Sequence, residues 1–268
     1  MKFKRNIPAG KQRGFSLLEL LLVIAILSLI VGAVFSQMGD AQRRLNAEEM
    51  KLGDFQQARD FVDQFFRDIN QAGTPNIRMY DPTQTFTPAL GPAQTSYSWA
   101  SPYINDSRLA IGLVRIDNSS ITFEGSVNGT GTVQSVTYQI NGSGTCAACL
   151  QRSQIDKKTG DSIAGQNPPD WGTEINDLTN TNTTTFPIFR FYQYDGTQIT
   201  IPTGGLDYTT QANANILANV KTIQINLTIR NNNIIDQKTG QPIETSFEGE
   251  VSLNNCSMAS TGTLMSCQ

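Results

Sequence analysis

The chain contains no histidine. That absence removes the Ser-His-Asp triad, the histidine-ligated zinc and the imidazole general base together. Charge is scarce as well: Asp, Glu, Lys and Arg make up 16% of the 268 residues, and only two tryptophans are present. Gly, Asn, Thr and Ser fill the space instead, a composition that suits a β-rich, loop-rich exported domain better than a compact helical enzyme. Five of the 20 basic residues (Lys2, Lys4, Arg5, Lys11 and Arg13) precede Phe15, which leaves 15 against 23 acidic residues in the remainder. So acidic a body argues against nucleic acid as the main partner. The sequence shows no phosphate loop, no nucleophile–base constellation and no paired carboxylate site. No enzyme activity, cofactor or metal is assigned.

What the sequence does hold is one long apolar run. KQRGFSLLELLLVIAILSLIVGAVF spans residues 11–35, and from Phe15 onward it reaches about 31 Å as a helix, the thickness of a bilayer core. The basic cluster ahead of it places the N-terminus in the cytoplasm and the bulk of the chain outside. Two simple readings compete: a secretory signal peptide cut near Val31-Gly32-Ala33, and a plain single-span anchor. Neither accounts for Glu19, whose carboxylate costs up to roughly 3 kcal/mol in hydrocarbon.

Basic residues, then Gly14, then Phe15-Ser16-Leu17-Leu18-Glu19 resemble the class III leader of type IV prepilins and pseudopilins. The resemblance implies that a membrane prepilin peptidase cuts after Gly14 and methylates the new amino terminus at Phe15. Glu19 then falls where the family carries its glutamate. In a staggered packing of helices its carboxylate meets the amine of a neighbouring subunit, so that two buried charges neutralise each other. Glu19 is read as a docking residue, not a catalyst.

The run continues as helix. Leu45, Leu52, Phe55, Val62, Phe66 and Ile69 recur at threes and fours, with Phe61 and Phe65 widening the stripe. The opposite face carries Arg43, Arg44, Glu49, Asp60, Arg67 and Asp68. No proline interrupts residues 15–72, and Gly73-Thr74-Pro75 is a stop signal. The expected organisation is a leader over 1–14 and a long helix over 15–72, membrane-spanning to 35 and amphipathic from 36. A β-rich globular domain follows over 73–268. The fold class is α+β and type IV pilin-like, with the helix packed on an antiparallel sheet. Many major pilins have a proline shortly after the membrane segment; none stands near Ser36, which speaks against the abundant shaft subunit.

Beyond a Pro-, Thr- and Ser-rich stretch to Pro102, short β-type runs follow: LAIGLVRI (109–116), SITFEG (120–125), TVQSVTYQI (132–140), FPIFRFYQY (186–194), VKTIQINLTIR (220–230) and ETSFEGEVSLN (244–254). IDKKTGDSI (155–163) and IDQKTGQPI (235–243) share a hairpin-loop chemistry, Asp opening the turn and Gly closing it. Their carboxylate density falls short of a calcium loop. The order ITFEGSVNG, VTYQI, Leu150-Gln151-Arg152, FRFYQYDG and VKTIQINLTIR resembles the PilW-type minor pilins, and the J-type minor pseudopilin of type II secretion (GspJ) has a related plan. The resemblance implies a subunit that initiates, assembles or caps a type IV pilus. It would be stored as a single-pass inner-membrane protein and then incorporated at the pilus or pseudopilus tip beside other major and minor pilins or pseudopilins. The alternatives are a J-type pseudopilin, or a membrane-anchored surface-binding module in which Tyr97, Trp99 and Tyr103 would serve as aromatic anchors.

Cys146, Cys149, Cys256 and Cys267 are the four cysteines, and an even count in an exported domain reads as two disulfides. Three pairings are possible. Cys256–Cys267 resembles the C-terminal disulfide loop of many pilins, with Cys146–Cys149 as a local staple; a four-thiolate zinc site and a redox-active Cys-Ala-Ala-Cys are the competing readings.

Overall fold

The computed structural model describes residues 16–75, 106–141, 148–158, 169–180, 186–235 and 240–254. Contacts divide the chain into two compact units, Met1–Met50 and Lys51–Gln268. Helix α1 (Leu17–Gln71) begins in the first and ends in the second. In the first unit none of the described residues is buried. In the second, Ala58, Phe61, Val62, Phe65, Asp68 and Ile69 of α1 turn inward against the sheets. The helix closes at Gly73, whose φ of 78° is the left-handed C-terminal cap that glycine adopts without strain. The Gly73 amide donates to the Glu124 carbonyl, tying the helix end to the sheet.

Two antiparallel sheets complete the second unit. The first holds β1 (Leu113–Ile116), β2 (Ser120–Gly125), β3 (Gln134–Asn141), β4 (Cys149–Asp156), β5 (Trp171–Ile175) and β7 (Leu206–Asp207), in the order β5-β4-β3-β2-β1-β7. The second holds β6 (Phe189–Gln193), β8 (Val220–Ile235) and β9 (Pro242–Ser252), in the order β6-β8-β9. A short helix α2 (Gln211–Ala218) precedes β8, and the Thr210 hydroxyl caps it by accepting from the Asn213 amide. Alternation sets the inward faces: Ile223, Ile225, Leu227 and Ile229 of β8 are buried while Thr222, Gln224 and Thr228 between them are not.

Phe65 is the wedge at which both sheets meet α1. Its ring lies 5.2 Å from Tyr138 of β3 at 77°, and 5.7 Å from Phe189 of β6. Phe61 adds an edge contact to the same tyrosine at 5.6 Å. Such pairs add roughly 1 kcal/mol each beyond the area they bury. Glycine permits the approach at two points. A Cβ at Gly249 of β9 would lie 2.7 Å from the Phe66 ring, and one at Gly125 of β2 would collide with the Gln71 carbonyl oxygen.

Two buried ion pairs fix the sheets around the helix. Asp68 of α1 accepts from the Tyr138 hydroxyl at 2.6 Å and from Arg152 of β4 at 2.7 and 2.9 Å. Burial beside that carboxylate pushes the Tyr138 phenol far above its ordinary range, so it stays protonated and donates. Lys157 and Glu124 pair at 2.7 Å with both side chains fully buried. Glu124 also accepts from the Ile111 amide, and Lys157 donates to the Leu109 carbonyl, which seats the segment ahead of β1.

The structure corrects the helical stripe. Leu45 and Leu52 are exposed and Phe55 is 40% exposed, because the sheets cover α1 only from about Ala58 onward. Asp68, assigned to the polar face, is buried because Arg152 and Tyr138 neutralise and bond it there. β4, β5, β7 and α2 lie outside the bounded β-type runs. We therefore expect Asp68→Ala to destabilise the protein by roughly 3 kcal/mol or more, since Arg152 would be left buried without its anion. Leu45→Ala should stay within about 0.5 kcal/mol. Denaturant unfolding of the full chain in detergent reads both.

Candidate functional site

α1 starts where the Ser16 carbonyl accepts from the Glu19 and Leu20 amides, at 3.0 and 3.2 Å. Glu19 thus lies in the first helical turn, where the free N–H groups and the positive end of the helix dipole favour a negative charge. Its side chain is exposed. Gly14 and Phe15 lie outside the described residues, so the structure locates the acid and not the scissile bond.

From Leu20 to Phe35 α1 carries no charged residue on any face. An 18-residue window reaches a mean hydropathy of 2.9, and none of it is buried in the protein. Leu17, Leu18, Leu29 and Phe35 each expose more than two thirds of their surface. The Ser28 hydroxyl bonds back to the Ala25 carbonyl at 2.9 Å, which satisfies that polar group inside the helix. A helix of this kind is stable in lipid because every backbone group past its first turn is bonded within it. In water, its uncovered leucines and isoleucines would drive association.

The model of the prokaryotic N-terminal methylation motif matches residues 10–35. This motif places the chain among type IV prepilin-like proteins. Comparison with curated proteins and with solved structures yields no match. The motif implies processing by a prepilin peptidase and, with the apolar helix, a membrane-anchored protein before assembly. The α+β plan, a long N-terminal apolar helix packed against C-terminal antiparallel sheets, is that of a pilin-like protein, a kind that is typically structural and not enzymatic.

Of the cysteines, Cys149 is fully buried at the start of β4 and is disulfide-bonded. Cys146, Cys256 and Cys267 lie outside the described residues, as do Tyr97, Trp99 and Tyr103, residues 159–163 of the first IDxKTG loop and residues 236–239 of the second. What remains of the second of these loops joins β8 to β9, with Gly240 at a φ of 68° on the far side of the turn.

Beside α1, the described residues of the second unit form a polar groove of about 360 Å³, lined by Gln56, Gln57, Asp60, Phe61, Gln64 and Glu174. Gln57 donates to the Glu174 backbone carbonyl at 2.9 Å, and burial raises the Glu174 carboxyl above its ordinary range. Its amides and two carboxylates offer hydrogen bonds without a nucleophile. Sequence reading missed the groove because Glu174 belongs to a short polar strand and meets α1 only through the tertiary fold.

The exposed span generates a direct prediction. Ile26→Arg should move the protein from the membrane pellet toward the soluble fraction in carbonate extraction, since arginine at the centre of a span costs roughly 3 kcal/mol. Glu19→Leu should leave it in the pellet.

Proposed function

We propose that this chain is a PilW-type minor pilin, cut between Gly14 and Phe15, N-methylated on Phe15, and used to initiate, assemble or cap a type IV pilus. The observation that carries the reading is Glu19 in the first turn of an exposed apolar helix, directly behind Gly14-Phe15. Cleavage there creates a cationic amine four residues before a carboxylate at the membrane edge. Each charge alone is costly in hydrocarbon, and a pair formed between adjacent subunits removes most of that cost. The peptidase supplies the amine, and the neighbouring subunit supplies the complement. The two-sheet unit Lys51–Gln268 supports a low-copy role, because so broad a body crowds a densely packed shaft.

Mass spectrometry of the N-terminal peptide from the native membrane should return N-methylated Phe15. Glu19→Ala should be cut normally and recovered in sheared filaments at about one tenth of the wild-type level or below. A start near Phe35, or normal recovery of the variant, overturns the reading. A type II secretion pseudopilus as the home of the processed subunit would show in which other subunits co-purify with it.

We further propose the disulfide pairs Cys146–Cys149 and Cys256–Cys267. Chain reach supports them. The Ala148 carbonyl accepts from the Leu178 amide, and Leu178 bridges Ile229 of β8; at the other end of that strand Leu253 is bonded to Lys221. Ile229 and Lys221 stand about 27 Å apart along β8. From Leu253, the chain to Cys256 spans at most about 11 Å, and bridged cysteines need Cα atoms within about 7 Å. That separation favours pairing Cys256 with Cys267 over pairing it with Cys149. Peptide mapping without reduction should give the two proposed pairs, and a Cys149–Cys267 peptide would overturn them.

A further inference from the structure

The groove between α1 and β5 lies wholly in the second unit, and its polar groups converge without bonding one another. Gln56, Asp60 and Gln64 follow at four-residue steps on one face of α1, about 6 Å apart along its axis. Glu174 of β5 forms the other wall. The Gln57 side chain bonds its backbone carbonyl, which sets the spacing of the walls and leaves the carboxylate unused. Among the described residues, the side chains of Gln56, Asp60, Gln64 and Glu174 make no hydrogen bond or ion pair within the chain. Glu174 is half-buried, and that burial holds its carboxyl above the ordinary range. Arg152 offsets the effect only in part, being bonded to Asp68, whose own charge adds to it. A cation entering the groove would meet a carboxylate that folding has desolvated and left without a counter-ion.

The lining narrows what the groove can hold. No lysine or arginine is part of it, so its two carboxylates repel an anion. Phe61, buried in the floor, is its one apolar side chain, too little for an apolar ligand. Two carboxylates are few for a metal, and among the described residues no group of three or more acidic, histidine or cysteine side chains is placed to hold one. What faces the groove is a set of acceptors: two carboxylates and three carboxamide oxygens. A guanidinium is their complement, since it is planar, always charged, made only of donors, and more weakly hydrated than an ammonium. A free arginine molecule would carry its own carboxylate into this acidic site, whereas an arginine held in a peptide brings the cation alone. Gly53 lines one end, and a Cβ there would meet nothing within 4 Å, so a long side chain has a way in.

We propose that the groove of Gln56, Asp60, Gln64 and Glu174 docks an arginine side chain presented by a different subunit. The inference rests on the minor-pilin reading, in which a low-copy subunit meets unlike neighbours, so the arginine belongs to another protein and not to a second copy. The carboxylates of Glu174 and Asp60 take the charge, and the glutamine oxygens accept from the remaining N–H groups.

The full-length chain, isotope-labelled on its glutamine side chains and held in detergent, is titrated with N-acetyl-arginine amide. The side-chain amide signals of Gln56, Gln57 and Gln64 should shift and saturate. The citrulline amide, of the same shape without the charge, and the lysine amide should each bind at least about tenfold more weakly. The double variant Asp60→Asn, Glu174→Gln should melt like wild type and lose about tenfold or more in affinity for the arginine amide. In the producing cell it should retain about one tenth of the other pilin subunits that co-purify with the wild-type chain. Unmoved glutamine signals, or equal affinity for the citrulline amide, overturn the arginine site and leave the minor-pilin reading intact. Equal affinity for the lysine amide overturns the choice of guanidinium. Undiminished co-purification by a double variant that no longer binds the amide overturns the docking role. A wild-type chain that starts near Phe35 overturns the minor-pilin reading itself, whatever the glutamine signals show.

Discussion

A carboxylate in an apolar setting needs a cation, and α1 meets that requirement in two different ways. Asp68 sits in the helix–sheet interface with Arg152 and Tyr138 bonded to it, all from the same chain. Glu19 sits in an apolar run with no such partner among the described residues. The fold depends on the first arrangement, since Tyr138 is both the donor to Asp68 and the ring against which Phe61 and Phe65 pack. The proposed assembly depends on the second. One helix thus carries a charge satisfied by folding and a charge for which folding supplies no partner among the described residues, and the difference lies in whether a sheet of the same chain reaches that part of the helix.

How much of this was legible in the sequence follows from which signals are local. The leader, the apolar run and the stop at Gly73 are short-range, and the bounds of α1 follow from them. Strands with strong alternation, such as SITFEG and VKTIQINLTIR, fall on β2 and β8. Helical periodicity marks an apolar stripe but not where its cover begins, which is why Leu45 and Leu52 were grouped with Phe61 and Phe65. Asp68 looked like a surface residue because its partners are 70 and 84 residues away. β5, WGTEI, has little apolar alternation to declare it, and most of it is exposed. Glu19, the acid of the proposed docking site, lies inside the matched motif, which is contiguous and therefore readable from the sequence.

The pairing of polar side chains deep in the second unit has a mechanical consequence. Arg152 also donates to Gln154, Gln154 to Gln134, and Gln134 to Asp156, so a chain of hydrogen bonds runs from Asp68 across β4 and β3. Near the C-terminal end of α1, Glu124 joins Lys157, the Ile111 amide and the Gly73 amide. These contacts are directional where hydrophobic packing is not, and they set one register of the helix on the sheets. A helix that transmits a docking force to its globular unit needs that kind of attachment, because apolar surfaces alone slide with little loss of contact.

Sheet edges pose the opposite problem, since an exported domain with open edges would pair with itself by strands instead of by α1. Among the described residues each edge is blunted. β7 is two residues long. The Glu174 carbonyl on β5 is taken by Gln57. On β6, Phe191 and Gln193 bond to Ile199 and Thr197 of the returning chain, and Leu178 to Asn180 continue that edge along β8. β9 is long, yet Glu248 and Glu250 are exposed at alternate positions along it, so a second copy of the strand would meet like charge. With strand pairing closed off in this way, the extensive unsatisfied surface left to the described chain is the apolar face of α1. Strand pairing is thereby disfavoured, which leaves the exposed apolar run of α1 free to carry the association proposed for Glu19.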